Sequence, residues 1–257
     1  MWRRVLLSFV ILAGCNQPTE QGSSEAAPKT AEAPKGNVGT VVGVVRLREG
    51  ASLPRLAPGH AGSAKDPAPS CPRLTDADPT PVFERDGKLV NVLVSATGNR
   101  ETFFAALPER TASEVELVIG EDCRLSPRLV AAVVGDSLRL RNRSPLAVLP
   151  FIGKQGHVES LSSQESRVQV LSERGVHHVG CGVTGYCGSA DVVVLAHPVF
   201  GVTDETGTFV IDNVPADQDV VLHAWHPLFR EATTTVRVGK GERVEVELEI
   251  EPARTRP

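Results

Sequence analysis

The sequence predicts an all-β fold, organised as Greek-key β-sandwich modules. Short runs rich in Val and Leu recur about every ten residues, and turns with glycine or polar residues separate them. Several runs alternate apolar and polar residues with a period of two, which is typical of a strand with one buried face. No segment shows a sustained helical period. These observations favour a sandwich or barrel over a helical or mixed fold.

Nine runs are predicted as strands. The clearest alternation lies in SLRLRN and in RVEVELEI. In the second of these, Glu245, Glu247 and Glu249 share one face, which we expect to be solvated and to resist pairing as a charged sheet edge. In chain order the runs span residues 40–47, 88–96, 114–120, 137–142, 190–196, 208–214, 219–225, 233–238 and 243–250.

Residues 1–14 have the organisation of a secretory signal peptide. Arg3 and Arg4 precede a short apolar run, and a Gly-Cys pair follows it. The run is too short to span a bilayer as a helix. LAGC, which ends at Cys15, resembles the lipobox of bacterial lipoproteins, and this resemblance implies that Cys15 is lipidated and becomes the mature N-terminus. The alternatives are an ordinary signal peptide with a chance cysteine and the twin-arginine export route.

Residues 15–37 are predicted to be the lipidated cysteine and a disordered tether. The segment after Cys15 has no aromatic or branched apolar residue, so it cannot bury enough surface to offset its ordering entropy. A flexible coil of this length spans roughly 25 Å. Asn16 rather than aspartate follows the cysteine, and the resemblance implies an outer-membrane anchor that faces the periplasm of a bacterial cell envelope. The membrane, contacted through the lipid, is therefore an expected partner.

Composition excludes several classes of function. The formal net charge is −4, and it becomes −6 when Arg3 and Arg4 leave with the signal. This charge and an aromatic content of 4% disfavour nucleic-acid binding. No GxSxG, HExxH or phosphate-binding loop is present, so we expect the protein not to be an enzyme.

The stretch VTDETGTFVIDNVPADQDVVLHAWHP is similar to the carboxypeptidase regulatory-like, or prealbumin-like, β-sandwich. The resemblance implies that residues 198–251 are the C-terminal part of such a sandwich, that 38–100 supply its N-terminal strands, and that 252–257 are a tail. Phe209 and Ile211 share one face and should enter its core. His223 and His226, on either side of Trp225, are interpreted as packing near the sandwich end rather than as catalytic. The matched positions are Thr203, Asp204, Gly207, Phe209, Ile211, Val214 and Pro215.

Residues 101–197, between these two parts, resemble a cupredoxin. Bacterial lipoproteins and periplasmic proteins of a methylamine-utilisation-like type combine the same two modules. GKLVNVLVSATG and EDCRLSPRLVAAVVGDSLRLRNRSP carry the resemblance. The matched positions in the second stretch are Cys123, Pro127, Val130, Ala132, Gly135, Leu138 and Asn142.

The resemblance also implies where copper ligands would stand. Copper-binding members use two histidines, a cysteine and a methionine, a set that suits single-electron transfer. In this chain Leu146 stands at the first histidine position, Cys181 at the cysteine, Thr184 at the second histidine and Cys187 at the methionine. Three of the four ligands are absent. We therefore expect no cofactor, with copper held by altered ligands as the alternative.

A different metal site is a second alternative. Cysteines and histidines can hold zinc, and the candidates are Cys181, His157 and His177. On a strand, the neighbours His177 and His178 would point to opposite faces, so they do not easily share one metal. The simpler interpretation of these histidines is that they lie at the surface or at strand edges.

Four cysteines remain besides Cys15, and an even number in an oxidising compartment predicts two disulfides with three compatible connectivities. Cys71 and Cys123 stand where similar proteins also carry cysteines, and Cys181 and Cys187 are close on one loop. We favour Cys71–Cys123 and Cys181–Cys187. A redox-active Cys181/Cys187 pair is the alternative, although it lacks CxxC spacing.

The sequence therefore predicts a membrane-anchored envelope lipoprotein with a non-catalytic β body. This body is expected to act as a binding or structural module for a protein or small molecule that the sequence does not identify. A copper or electron-transfer protein with altered ligands and a thiol–disulfide redox protein are the alternatives.

Overall fold

The computed structural model describes residues 36–53, 84–98, 104, 107, 110–153, 156–181 and 187–253. All of them belong to one unit, Ala33–Pro257. The described residues form strands, turns and loops and contain no α-helix, so the predicted all-β class is confirmed. None of the described segments is a helix long and apolar enough to cross a membrane.

Nineteen strands lie within the described residues. They are β1 (Val38–Leu47), β2 (Glu84–Arg85), β3 (Lys88–Leu89), β4 (Leu93–Gly98), β5 (Glu114–Ile119), β6 (Leu125–Ser126), β7 (Leu129–Val133), β8 (Ser137–Asn142), β9 (Pro150–Ile152), β10 (Gly156–His157), β11 (Ser166–Val170), β12 (Gly175–Cys181), β13 (Ser189–Leu195), β14 (Phe200–Val202), β15 (Thr208–Pro215), β16 (Asp219–Trp225), β17 (Phe229–Arg230), β18 (Ala232–Arg237) and β19 (Arg243–Pro252).

The first sandwich is built from strands near both ends of the described chain. Its sheet 1 has the order β17-β19-β1-β3-β2, and β15 also pairs with β1. Its sheet 2 has the order β14-β4-β16-β18. β1 pairs in parallel with β19 and antiparallel with β15, so the first described strand is completed by two late ones.

The core of the first sandwich lies between sheets 1 and 2. Alternate residues of β15 and β16 enter it, and Phe209 and Ile211 are 1% and 0% exposed, as their shared face predicts. Full burial of an aliphatic or aromatic side chain contributes about 1.5–3 kcal/mol, so this core is a main source of stability. The glutamates at 245, 247 and 249 are exposed.

The second sandwich is formed by one continuous stretch of the chain, β5 to β13. Its sheet 3 has the order β11-β8-β5-β6, and its sheet 4 has the order β10-β9-β12-β13-β7. β5 and β8 are parallel, as are β7 and β13, whereas the other pairs are antiparallel. A separate apolar core fills the space between its sheets.

An apolar contact joins the two sandwiches. Leu93 of sheet 2 and Leu129 and Val193 of sheet 4 are its buried centre. Partly buried side chains surround them, among them Phe200 and Trp225. The outer face of sheet 2 is therefore covered on one side by the second sandwich.

The predicted strand at 88–96 is divided in two by Asn91. Asn91 has a φ of 63°, in the left-handed region, so the chain turns between β3 and β4. The amide N of Asn91 donates to the Thr203 carbonyl at 3.0 Å, and the amide N of Val92 donates to Thr203 Oγ1 at 2.9 Å. Thr203 thus satisfies backbone donors that a continuous ladder would have paired.

Candidate functional site

The cysteine loop lies between β12 and β13 in sheet 4. Cys181 ends β12, Cys187 precedes β13, and the two form a disulfide with Cα atoms 5.7 Å apart. The pairing favoured from the sequence is therefore present. Residues 182–186, which include Thr184, lie outside the described residues.

The disulfide removes the soft ligand that a copper site of the family type needs. A thiolate binds metal, whereas a sulfur in a disulfide carries no negative charge. Cys181 is 6% exposed and Cys187 is 1% exposed. Thiol–disulfide exchange requires access to a sulfur, so this burial also opposes the redox-pair alternative.

The segment after β8 carries Leu146, which stands at a histidine position of copper-binding cupredoxins. Leu146 is half-buried, and its aliphatic side chain has no donor atom for a metal. Fully buried Asn142 shapes this segment, because its Nδ2 donates to the carbonyl oxygens of Leu146, Leu161 and Ser162 at 2.7–3.1 Å. Its Oδ1 accepts from the amide and hydroxyl of Ser144.

One of the two histidines considered for a different metal site, His177, is held by another partner. Buried His177 has its Nε2 2.8 Å from the Glu173 carbonyl oxygen. His177 and Cys181 share a face of β12, but four residues of strand separate them by about 13 Å. No group of three or more His, Cys, Asp or Glu side chains among the described residues is arranged to hold a metal ion. His157 lies on β10, and its side chain is outside what the structure describes.

The remaining cysteines are described only in part. Cys123 is buried, has a φ of 64° and is disulfide-bonded. Cys71, its predicted partner, lies outside the described residues, as does Cys15, the predicted lipidation site. The Cys71–Cys123 pairing and the lipid anchor therefore stay predictions.

A cleft of about 610 Å³ lies where the two sandwiches meet. This volume is within the usual range for small-molecule sites. The first sandwich contributes two carboxylates, Glu84 and Glu205, and the second contributes Asp122 and two guanidinium groups, Arg124 and Arg128. No sequence motif marks this cleft, because its walls come from three separate parts of the chain, 84–91, 122–128 and residue 205.

The disulfide loop supports one wall of this cleft. The amide N of Leu125, which lines the cleft, donates to the Cys187 carbonyl at 2.9 Å. Arg128 Nη1 donates to the Ser189 carbonyl at 2.7 Å. The chain that leaves the disulfide is thus bonded to the wall that carries the arginines.

Asp191 of β13 lies near two histidines with opposite pKa shifts. Burial lowers the pKa of His226, from the first sandwich, to about 4, and the charge of Asp191 offsets this only in part. His178 Nδ1 lies 3.2 Å from Asp191 Oδ1, and this hydrogen bond raises the pKa of His178. The negative charge at Asp191 therefore raises the pKa of one histidine in each sandwich.

Comparison with known proteins gives distant structural similarity only. No protein-family model and no curated protein sequence matches the chain. The chain is similar to a purple cupredoxin from Nitrosopumilus maritimus, with 15% identity over 31% of this chain and 98% of that one, at a TM-score of 0.29. It is also similar to a reduced amicyanin mutant (20% identity, 39% and 99% covered, TM-score 0.30) and to plastocyanin from Dryopteris crassirhizoma (12%, 32% and 100%, 0.28). At these values the likeness shows neither family membership nor a copper site.

Proposed function

We propose that this chain is a bacterial envelope lipoprotein whose β body binds a ligand and does not carry electrons. In this proposal Cys15 anchors the protein to the outer membrane, facing the periplasm. The first sandwich is regulatory-like and the second is cupredoxin-like. The observation that carries the proposal is the Cys181–Cys187 disulfide, because it occupies the thiolate position of a copper site.

The cleft between the sandwiches is the candidate ligand site. It combines carboxylates from one sandwich with guanidinium groups from the other, and a ligand with both donor and acceptor groups suits such walls. The disulfide loop then has a structural role, since Cys187 is bonded to Leu125 in one wall and the adjoining Ser189 of β13 is bonded to Arg128.

Thiol titration and metal analysis of the purified mature protein test the absence of electron transfer. We expect no thiol from Cys181 or Cys187 in the denatured, unreduced protein and no stoichiometric copper or zinc after incubation with either metal. Bound copper that is lost in Cys181→Ser would contradict the proposal in favour of the copper alternative. Free thiols that exchange with a small disulfide would favour the redox alternative.

A thermal-shift panel of amino acids, dicarboxylates, sugars and amino sugars tests ligand binding at the cleft. A ligand that binds only the folded state raises the unfolding midpoint, by an amount that grows with its concentration. We expect at least one class to do so, and Glu205→Arg to abolish the shift because it reverses a charge in the cleft wall. Glu249→Arg, an exposed site on β19 away from the cleft, is the matched control. Equal shifts in both variants would place binding elsewhere.

A further inference from the structure

Three side chains form a connected chain on the outer face of sheet 2. Thr97 of β4 has its Oγ1 2.9 Å from His223 Nε2, and His223 Nδ1 lies 2.6 Å from Glu231 Oε1. These residues lie outside the cleft and the disulfide loop. A hydroxyl, an imidazole and a carboxylate at such distances are the arrangement that activates a hydroxyl nucleophile.

The strands place the three groups without distortion of the sheet. His223 lies on β16 between Leu222 and Ala224, which enter the core, so its ring points to the opposite face. In the register of β4 and β16, Thr97 is opposite Val221, two residues from His223 and diagonal to it. Glu231 directly precedes β18, the neighbour of β16 on the other side.

The hydrogen bonds fix the tautomer of neutral His223. An ionised carboxylate only accepts, so Glu231 requires a proton on Nδ1. In the neutral ring Nε2 then has a lone pair and accepts the hydroxyl proton of Thr97. Glu231 thus orients the ring, and Nε2 is the base that faces Thr97.

Access to Thr97 is open along part of β4. β14 pairs with Leu93–Ser95 and does not reach Thr97, and the Thr97 side chain is partly exposed. His223 is more sheltered, with 12% of its side chain exposed, whereas half of the Glu231 side chain is exposed. The imidazole is therefore protected from competing solvent while the hydroxyl remains within reach of a reagent.

We infer that Thr97 is an acyl-acceptor site, at which the hydroxyl takes an acyl group from an activated ester. Thr97 Oγ1 forms a bond to the ester carbonyl carbon while its proton passes to His223 Nε2. The carbonyl carbon then releases the alcohol or phenol oxygen of the ester, which takes that proton. The products are O-acyl Thr97 and the free alcohol, and the imidazole is neutral again. This step is a stoichiometric modification and is independent of the proposed function.

Thr235 of β18 is the matched control hydroxyl. It is an exposed threonine on the same outer face, it is opposite Val221 in the register, and among the described residues it makes no hydrogen bond to His223. General-base assistance accelerates such reactions on the order of 10²–10⁴-fold. We therefore expect Thr97 to be acylated at least about 10²-fold faster than Thr235.

The test treats the full chain with p-nitrophenyl acetate and locates the acetyl groups by peptide mass spectrometry. Acetylation should occur at Thr97, persist in Thr97→Ser, and disappear from this site in Thr97→Val, which keeps the side-chain shape. His223→Gln should slow it about 10²-fold, and Glu231→Gln about tenfold, with unfolding midpoints measured in parallel. Equal labelling of Thr97 and Thr235, or a rate unchanged in a folded His223→Gln or Glu231→Gln protein, would overturn the inference.

Discussion

At the scale of single residues, Asp191 has neighbours that respond to pH in opposite directions. His226 is 2% exposed and its Nδ1 accepts from the Leu228 amide, so the folded protein holds this imidazole neutral. His178 is largely exposed and gains from its ion pair with Asp191 when it is protonated. The stability that protonated His178 contributes is fully present below the pKa that His178 has in the unfolded chain. It is lost as the pH rises through the raised pKa of His178 in the folded protein. Exposure keeps that contribution small.

His226 should make the protein less stable in mild acid. Its pKa is about 4 in the folded state, against 6.5 as its ordinary value, so the unfolded chain binds more protons between these pH values. The free energy of unfolding should fall as pH decreases from about 6.5 to 4, with a total loss of about 3 kcal/mol. Urea unfolding at a series of pH values measures this slope.

The matched variants for this slope are His226→Gln and His178→Gln. His226→Gln keeps a polar acceptor but does not titrate, so it should flatten the pH dependence in this window. His178→Gln should leave the pH dependence of the free energy of unfolding in this window unchanged. A slope that survives in His226→Gln would assign the acid sensitivity to another group.

Asn142 illustrates what sequence can identify at this scale. Its position at the end of SLRLRN and its match to the cupredoxin pattern single it out. The side-chain amide of Asn142 donates to the carbonyl groups of residues 146, 161 and 162, and no local sequence pattern connects these residues to Asn142. The residue could be predicted as notable, but its role as the centre of a hydrogen-bond network could not.

At the scale of elements, the close approach of β19 and Phe209 to the middle of β1 depends on Gly43. A Cβ at Gly43 would lie 2.3 Å from the Val246 carbonyl oxygen and 2.8 Å from Phe209 Cζ. Gly43→Ala should therefore separate β1 from β19 or displace the Phe209 ring from the core. We expect a loss of about 3 kcal/mol in the free energy of unfolding, the upper part of the usual cost of overpacking.

Denaturant unfolding of Gly43→Ala measures this cost, and Gly120→Ala is its control. At Gly120 the nearest atom to an added Cβ is a carboxylate oxygen of Asp122, the end of a flexible side chain that can move away. If the Gly43→Ala protein were as stable as Gly120→Ala, β1 and β19 would be able to move apart without a loss in the free energy of unfolding.

Strands with one solvated face are located most accurately from sequence. SLRLRN and DVVLHAW alternate, and the structure begins and ends both strands at the predicted residues. One face of β7, LVAAV, enters the core of the second sandwich, and the other face contacts the first sandwich. Both faces are therefore covered, and no alternation of apolar and polar residues marks this strand. The sequence pattern of β12, GVHHVGC, is not recognisable as a strand, because it contains two glycines and because His177 is a polar residue on the core side.

At the scale of the whole molecule, the proposed lipid anchor at Cys15 determines whether the protein is found in the membrane fraction or in the soluble fraction. Cys15→Ala removes the only residue that the lipobox resemblance assigns to lipidation. The variant should move from the membrane fraction to the soluble fraction of fractionated cells, because a lipid chain contributes about 0.8 kcal/mol per buried methylene and is absent. Retention of Cys15→Ala in the membrane fraction would contradict lipid anchoring at this residue.

The cleft shows the limit of sequence analysis at this scale. Glu84, Glu205, Arg124 and Arg128 are ordinary charged residues in turns and short strands. They meet only because the chain leaves the first sandwich, forms the second and returns. Strand patterns predict the all-β class, but the relative placement of distant turns depends on long-range packing that no local pattern encodes.

The pairing of β1 also determines the order in which the protein can fold. Both long partners of β1, β15 and β19, come after the whole second sandwich in the sequence. The second sandwich is continuous and can nucleate from contacts of shorter range, whereas closing the first requires a long loop and is intrinsically slower. Until the last strand arrives, the valines of β1 expose an unpaired apolar edge. A chaperone that shields early strands would therefore have its main effect on β1.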